Sequence, residues 1–453
     1  MIGAGYVGLV SGACLADFGH EVTCIDKDEQ RISALKRGAI PIFEPGLPEL
    51  VANNVRQGRL EFDVEPNAVA EAEAVFIAVG TPSRRGDGHA DLSFVYEAVR
   101  DIAPLLAPTA VVITKSTVPV GTGDEIERIL REQRPPLPLQ VVSNPEFLRE
   151  GAAIRDFKHP DRIVVGTEDA KARAVLAEIY RPLYLNAAPI VYVGRRTAEL
   201  IKYASNAFLA TKITFINEMA DLCERVGADV QEVARGMGLD NRIGAKFLHA
   251  GPGFGGSCFP KDATALLKTA HDHGAQLRIV ETVSAVNEQR KRAMARKVVA
   301  ALDGSVRGKT IAVLGLTFKP NTDDVRDSPA IPLITALQDL GADVRGYDPA
   351  GIEQARLQLP GVRYCDSAYA AAEGAEALVI ATEWEQFRAL DLERLNHIMQ
   401  RPVIVDLRNI YRAEAMKRFK FRYVGVGTAD DHNPDHENRL RGGEPVAAVA
   451  ARP

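Results

Sequence analysis

Residues Gly251 to Asp262 read Gly-Pro-Gly-Phe-Gly-Gly-Ser-Cys-Phe-Pro-Lys-Asp. A thiol inside a glycine-rich loop, with Lys261 and Asp262 just after it, has the parts that covalent catalysis needs. Glycines let backbone amides approach a reacting oxygen, and a nearby cation lowers a thiol pKa. Cys258 is the candidate nucleophile. Pro260 is expected to interrupt any helix starting at once. The competing reading is a surface turn holding a buried, inert cysteine.

Such a loop must be positioned against a ligand. The first residues, Met1-Ile2-Gly3-Ala4-Gly5-Tyr6-Val7-Gly8, contain Gly-x-Gly-x-x-Gly and lead into an apolar helical stretch from Leu9 to Phe18. Glu21 to Asp26 then reads as a strand ending in an acid. In a dinucleotide fold the glycines make the tight turn, admit the pyrophosphate and pack helix on strand, and the acid bonds the ribose 2′-hydroxyl. Asp26 favours NAD over NADP. The strand ahead of Gly3 is only Met1-Ile2, short for a buried parallel strand, so a few upstream residues are expected to be missing.

Further apolar runs, 74–79, 110–114 and 139–142, end in polar residues. Alternating strands and helices describe a doubly wound sheet whose ligands sit beyond the strand carboxyl ends. Thr81, Thr117 and Glu146 therefore fall on one rim. Glu146 and Glu150 are four residues apart; if helical, they share a face, either as functional carboxylates or as a solvated helix start. From about Thr197 to Arg290 the pattern turns helical. A long helix from Ala198 to about Val226 carries Lys202 and Asn206 one turn apart, as a surface stripe or an active-site wall. A second long helix covers roughly Leu277 to Leu302. Strand patterns return at 310–315, 344–349, 377–382 and 403–406, without a second full glycine motif. This sheet suits a different nucleotide-like ligand, and Lys319, Arg326 and Arg408 follow its strands as candidate phosphate contacts or surface cations.

The expected fold class is α/β, with two Rossmann-like doubly wound domains joined by a central helical domain with a long helix. The expected boundaries are 1–190, 191–302 and 303–428, with a disordered tail at 429–453. The 453 residues carry a net charge of −5, which gives no case for nucleic acid or an anionic membrane. No apolar run spans a bilayer, the start does not read as a signal peptide, and five scattered cysteines suit a reducing cytoplasm. No metal site is expected.

Gly3–Gly8, Lys115-Ser116-Thr117-Val118-Pro119-Val120-Gly121-Thr122, Asn144-Pro145-Glu146-Phe147 and Gly253–Asp262 together resemble the UDP-glucose/GDP-mannose dehydrogenase family, over residues 1 to about 427. The Ser-Cys-Phe-Pro-Lys-Asp form is similar to its UDP-glucose branch; GDP-mannose and UDP-N-acetylhexosamine enzymes are the alternatives. The resemblance implies a four-electron oxidation: UDP-glucose, two NAD⁺ and water give UDP-glucuronate and two NADH through a thiohemiacetal and a thioester on Cys258. It implies that Lys202 and Asn206 stabilise the oxyanion and Asp262 holds a water. It makes Glu146 the acid/base, with Thr117 supporting water. It assigns NAD contacts to Gly3, Gly5, Tyr6, Val7, Gly8, Asp26, Arg31, Thr81, Thr117, Glu150, Lys261 and Arg326. It assigns UDP-sugar contacts to Glu146, Phe147, Leu148, Lys202, Asn206, Arg242, His249, Gly253, Gly255, Lys319 and Arg408. Arg242 would reach a neighbouring subunit's site, which implies a homodimer or higher homo-oligomer.

Overall fold

A computed structural model describes residues 1–84, 88–134, 139–186 and 188–428; the expected tail lies outside the described residues. These residues form two compact units. The first comprises 1–208, 257–284 and 321–323, and the second comprises 209–256, 285–320 and the chain from 324 onward.

Short runs of β-branched and aliphatic residues build the first unit's sheet. Its strands are β1 (Val22–Ile25), β2 (Leu60–Asp63), β3 (Ala74–Ile77), β4 (Val111–Thr114), β5 (Gln140–Ser143), β6 (Ile163–Gly166) and β7 (Ile190–Val193). They are ordered β3-β4-β5-β6-β7, with β2 beside β1. Ile2 joins the two groups by parallel bridges to Ile25 and Ile77. Met1-Ile2, though short, is fully laddered: Ile2 N donates to Phe76 O at 2.7 Å, and Ala78 N and Ile25 N donate to Ile2 O and Met1 O at 2.7 and 2.8 Å. The sheet is covered on both faces. Phe76 packs with Leu9 and Val10 of the helix Tyr6–Asp17, while Val75 and Ile77 pack with Val95, Val99 and Ile126 on the other side. Each such burial stabilises by roughly 1.5–3 kcal/mol. The strands β2, β6 and β7 were not singled out in the sequence. One of them, β6, enters antiparallel to β5, so this sheet is mixed.

The second unit holds β8 (Thr310–Leu314), β9 (Asp343–Tyr347), β10 (Arg363–Tyr364), β11 (Ala377–Ile380), β12 (Val403–Asp406) and β13 (Arg422–Val424). All are parallel, in the order β10-β9-β8-β11-β12-β13. This is the doubly wound dinucleotide-fold order 3-2-1-4-5-6, whose crevice lies between the first and fourth strands. Three helices outside the sheets matter for function: Arg195–Val226, Phe259–Asp272 and Arg278–Ala301. Among the described residues no helix is long and apolar enough to cross a membrane.

Candidate active site

The glycine motif forms a cradle in the first unit. Gly3 sits at φ +98°, where a Cβ would lie 2.7 Å from Ala78 O; at Gly8 a Cβ would lie 1.9 Å from Gly3 O. Only glycine lets the turn and the helix come this close. A Cβ on Gly5 would meet nothing within 4 Å, so space stands open above it. Gly5 caps the helix Tyr6–Asp17, which has no acidic residue in its first turn. Tyr6 and Val7 supply first-turn amides, which together with the helix dipole suit an anion such as a pyrophosphate. At the end of β1, Asp26 Oδ2 accepts from Ala4 N at 2.8 Å and from Arg31 at 2.9 Å. Thr81 Oγ1 donates to Thr117 O at 2.9 Å, beyond β3 and β4. These residues fit a dinucleotide.

Glu44, which sequence reasoning missed, anchors the cradle. Its buried carboxylate accepts from Gly151 N at 2.7 Å, Ala153 N at 2.8 Å and the Tyr6 hydroxyl. That places Tyr6 in the support of the loop.

The long helix presents a buried polar stripe, so Lys202 and Asn206 form a wall rather than a surface pair. Lys202 Nζ donates to Glu146 Oε1 at 2.9 Å, with both side chains almost wholly buried. Asn206 Nδ2 donates to Asp262 Oδ2 at 2.6 Å, and Lys261 Nζ donates to Asp262 Oδ1 at 2.8 Å. Burial pulls the Lys202 ammonium down, but Glu146, Cys258 and Asp262 together hold its pKa above the ordinary lysine value. Burial pushes the Glu146 carboxyl up; Lys202 outweighs it and holds the group below its usual value. The pair is therefore ionised. Phe147 stacks under Arg162 at 3.6 Å and lies 5.4 Å from Lys202 Nζ. Leu148 N donates to Glu146 Oε2.

Three sequence expectations need correction. Residues 144–150 are not helical, so Glu146 and Glu150 do not share a helix face. The first reaches Lys202, and the second accepts from Ser257 Oγ at 3.0 Å and Thr322 Oγ1 at 3.4 Å. The segment is held by tertiary bonds instead of helical ones, with the buried Asn144 side chain donating to Val164 O at 2.7 Å and accepting from Lys115 Nζ at 3.1 Å. Pro260 does not delay a helix: the helix begins at Phe259 with Cys258 as its cap, and a proline in the first turn sacrifices no bond. The Cys258 thiol, half-buried, is pushed up rather than down. Burial contributes most and Glu146 next, against the opposing pull of Lys202. Cys14 and Cys24, wholly buried, are pushed up to about 12 and about 11; those are inert core thiols.

Glu199, also missed, lies one turn before Lys202. Its carboxylate accepts from Gly121 N at 2.7 Å, Gly123 N at 2.8 Å and Ser143 Oγ at 3.1 Å, fixing the end of the loop that carries Thr117. Its spacing to Lys202 and Asn206 was the available signal.

In the second unit, the loop before the cysteine is pinned by buried side chains the sequence did not flag. Asn217 accepts from Gly251 N at 2.8 Å, and Arg290 donates to Gly251 O at 2.7 Å. Asn287 exchanges two bonds with Phe254, at 2.8 and 3.0 Å. A Cβ on Gly253 or Gly255 would strike Asn287 or Asp327. His249 is exposed. Beyond the strand ends, Arg408 donates to Ala381 O at 2.9 Å and Phe318 O at 3.1 Å, drawing together the loops after β8, β11 and β12. Lys319 lies over Phe318 at 5.1 Å. Arg326 is forked onto Asp324, and Arg242, its side chain 90% exposed, onto Asp240. At the end of β9 stands Asp348, the counterpart of Asp26. Both its oxygens are taken, one by Leu316 N and Thr317 N at 2.7 and 3.0 Å, the other by Ala350 N and Gly351 N at 2.9 and 2.8 Å. Asp348 is buried where Asp26 is half-buried, and it is spent on holding its own loops.

A dinucleotide cradle with a buried ion pair and a thiol on one unit, and a second nucleotide-type sheet on the other, define an α/β dehydrogenase. Comparison with known proteins narrows the class. Residues 1–184, 196–289 and 312–413 match the NAD-binding, central and UDP-binding domain models of the UDP-glucose/GDP-mannose dehydrogenase family. The chain is 66% identical over 433 residues to a Rhizobium meliloti UDP-glucose 6-dehydrogenase, covering 95% of this chain and 99% of that one. It is 45% identical to the Bacillus subtilis UDP-glucose 6-dehydrogenase TuaD, covering 99% and 97%. A Pyrobaculum islandicum UDP-glucose dehydrogenase structure superposes with a TM-score of 0.86 at 40% identity, covering 94% and 97%. The chain belongs to the UDP-glucose/GDP-mannose dehydrogenase family.

Proposed function

We propose that this dehydrogenase oxidises UDP-glucose to UDP-glucuronate, consuming two NAD⁺ and one water per sugar. NAD⁺ supplies the hydride acceptor in both oxidations. Gly3, Gly5 and Gly8, with the amides of Tyr6 and Val7, hold its pyrophosphate, and Asp26 and Arg31 meet its adenosine ribose. Thr81, Thr117, Glu150, Lys261 and Arg326 complete its contacts.

The observation that carries the reading is the buried Lys202–Glu146 ion pair, 2.9 Å across, in the unit that also holds Cys258 as the cap of the helix Phe259–Asp272. An alcohol oxidation needs no thiol; a second oxidation to the acid level does. Cys258 attacks the C6 aldehyde, giving a thiohemiacetal whose further oxidation yields a thioester. Lys202 steadies the negative charge on oxygen in each step, assisted by the second N–H of the Asn206 amide. Asp262, fixed by Asn206 and Lys261, holds the water that cleaves the thioester, and Glu146 acts as acid/base with Thr117. Phe147, Leu148, His249, Gly253, Gly255, Lys319 and Arg408 take the UDP-sugar.

The site is completed in a homodimer, with Arg242 extended to the partner and the exposed Phe215, Leu222 and Val226 of the long helix as apolar contact. Five unpaired cysteines suit a cytoplasmic enzyme. The test is NADH yield across UDP-glucose, UDP-N-acetylhexosamines and GDP-mannose. Two NADH per sugar from UDP-glucose, at the highest kcat/KM, is expected. One NADH per sugar, or a preference for another sugar, contradicts the reading.

A further inference from the structure

Ser257 stands between a carboxylate and the thiol. Its hydroxyl donates to Glu150 Oε1 at 3.0 Å, and its oxygen lies 3.6 Å from Cys258 Sγ. With the hydroxyl hydrogen committed to Glu150, the hydrogen that fills the second contact is the thiol's own. Glu150 is held in place by its neighbour, since Gly151 N is bound to the buried Glu44 at 2.7 Å. The two carboxylates acting directly on the thiol are already engaged: Glu146 with Lys202, and both oxygens of Asp262 with Asn206 and Lys261.

We infer that Ser257 and Glu150 form the route by which the Cys258 proton leaves and returns. The inference rests on Cys258 being the nucleophile. As the S–C6 bond forms, the carbonyl π pair moves onto oxygen and the S–H bond breaks. The thiol proton passes to Ser257 Oγ while the Ser257 proton passes to Glu150 Oε1. Glu150 keeps that proton through the covalent phase. When water adds to the thioester and the C–S bond breaks, the electron pair returns to sulfur and the proton travels back through Ser257. Over one turnover the pair gains and loses nothing. Ser257 touches the reacting atom; Glu150 acts through it.

The test is single-turnover NADH release at saturating NAD⁺, in which the second phase reports thioester formation. The charged groups facing the thiol, Glu146, Asp262 and Lys202, are left intact. Ser257→Ala is expected to slow the second phase about 10²-fold or more, the lower end of what a positioned proton carrier supplies. Ser257→Thr is expected to restore it to within a few-fold. Glu150→Gln is expected to make the second phase rise with pH through the alkaline range, because the thiol must then ionise unaided. In ligand-free enzyme, iodoacetamide alkylation of Cys258, followed by intact mass, should begin at higher pH in Ser257→Ala and not in Ser257→Thr. Wild-type second phase and pH profile in Ser257→Ala and Glu150→Gln, with the phase lost in Cys258→Ala, overturns the relay and leaves the nucleophile standing. Two NADH from Cys258→Ala overturns both.

Discussion

Replacing Lys202 by methionine keeps the stem and removes the charge, leaving Glu146 buried without its main partner. Breaking a buried pair costs about 3–5 kcal/mol. Protonating the carboxyl limits that loss. From an ordinary glutamate pKa near 4.3, protonation at pH 7 costs about 3.7 kcal/mol, and at pH 5 about 1 kcal/mol. The sign follows from the direction of the shift. In the wild type, Glu146 titrates below its unfolded value. Its contribution is therefore present above about pH 4.3 and lost as pH falls through the lower folded value. In Lys202→Met, burial, the largest influence on the carboxyl, acts without Lys202 and the folded carboxyl is expected to move above the unfolded value, although the Leu148 N–H bond and then Lys115 still oppose this. The variant's stability should then fall as pH rises through the new value. The melting-temperature gap between wild type and variant should be widest at pH 7–8. At 2–4 °C per kcal/mol for a unit of 150–250 residues, about 3 kcal/mol is roughly 6–12 °C. The gap should narrow to a few degrees at pH 5. Calorimetric scans across pH 5–8 read it directly. A gap that is constant, or that widens toward acid, refutes the claim that Lys202 keeps Glu146 ionised.

Asp26→Ala leaves Arg31 with only its longer pair to Asp28, at 3.5 Å, and removes the carboxylate proposed to accept from the ribose hydroxyl; the NAD/NADP ratio of kcat/KM should narrow at least about tenfold, about 1.4 kcal/mol. An unchanged ratio takes Asp26 off the ribose. Gly8→Ala drives a Cβ to 1.9 Å from Gly3 O, an overpacking expected to cost about 1–3 kcal/mol or more and to weaken NAD binding in a titration. Unaltered melting and binding contradict the close helix–strand contact.

The parts of the fold legible in the sequence were those with a period or a motif. The glycine triad, the apolar strand runs and the two long helices stand where spacing placed them, the helices at Arg195–Val226 and Arg278–Ala301. The site residues Lys202, Glu146, Asn206 and Asp262 do converge, but the pairing between them was not readable. Lys202 and Glu146 are 56 residues apart, as are Asn206 and Asp262, and one-dimensional spacing says nothing of contacts at that distance. The buried polar supports, Glu44, Glu199, Asn217, Asn287 and Arg290, escaped notice for a related reason. Each satisfies backbone groups of a distant loop, a need that exists only once the loop is folded. The helical pairing of Glu146 with Glu150 failed because tertiary partners override side-chain periodicity: Glu146 goes to Lys202, and Glu150 to Ser257 and Thr322. Asp348 shows the converse: a strand-end acid that looks like Asp26 in sequence spends its oxygens on its own loop.

The central claim is that Cys258 carries the second oxidation. The most direct measurement is NADH released per active site from one equivalent of UDP-glucose, with intact-protein mass spectrometry, for wild type and Cys258→Ser. A hydroxyl is a far weaker nucleophile than a thiol near neutral pH, and the ester it makes is slower to cleave than a thioester. Wild type is predicted to release two NADH per sugar. Cys258→Ser is predicted to bind both ligands, release no more than one NADH rapidly, and stall at the aldehyde or as a slowly cleaved ester seen as added mass. Two NADH per sugar from Cys258→Ser at near wild-type rate contradicts the account.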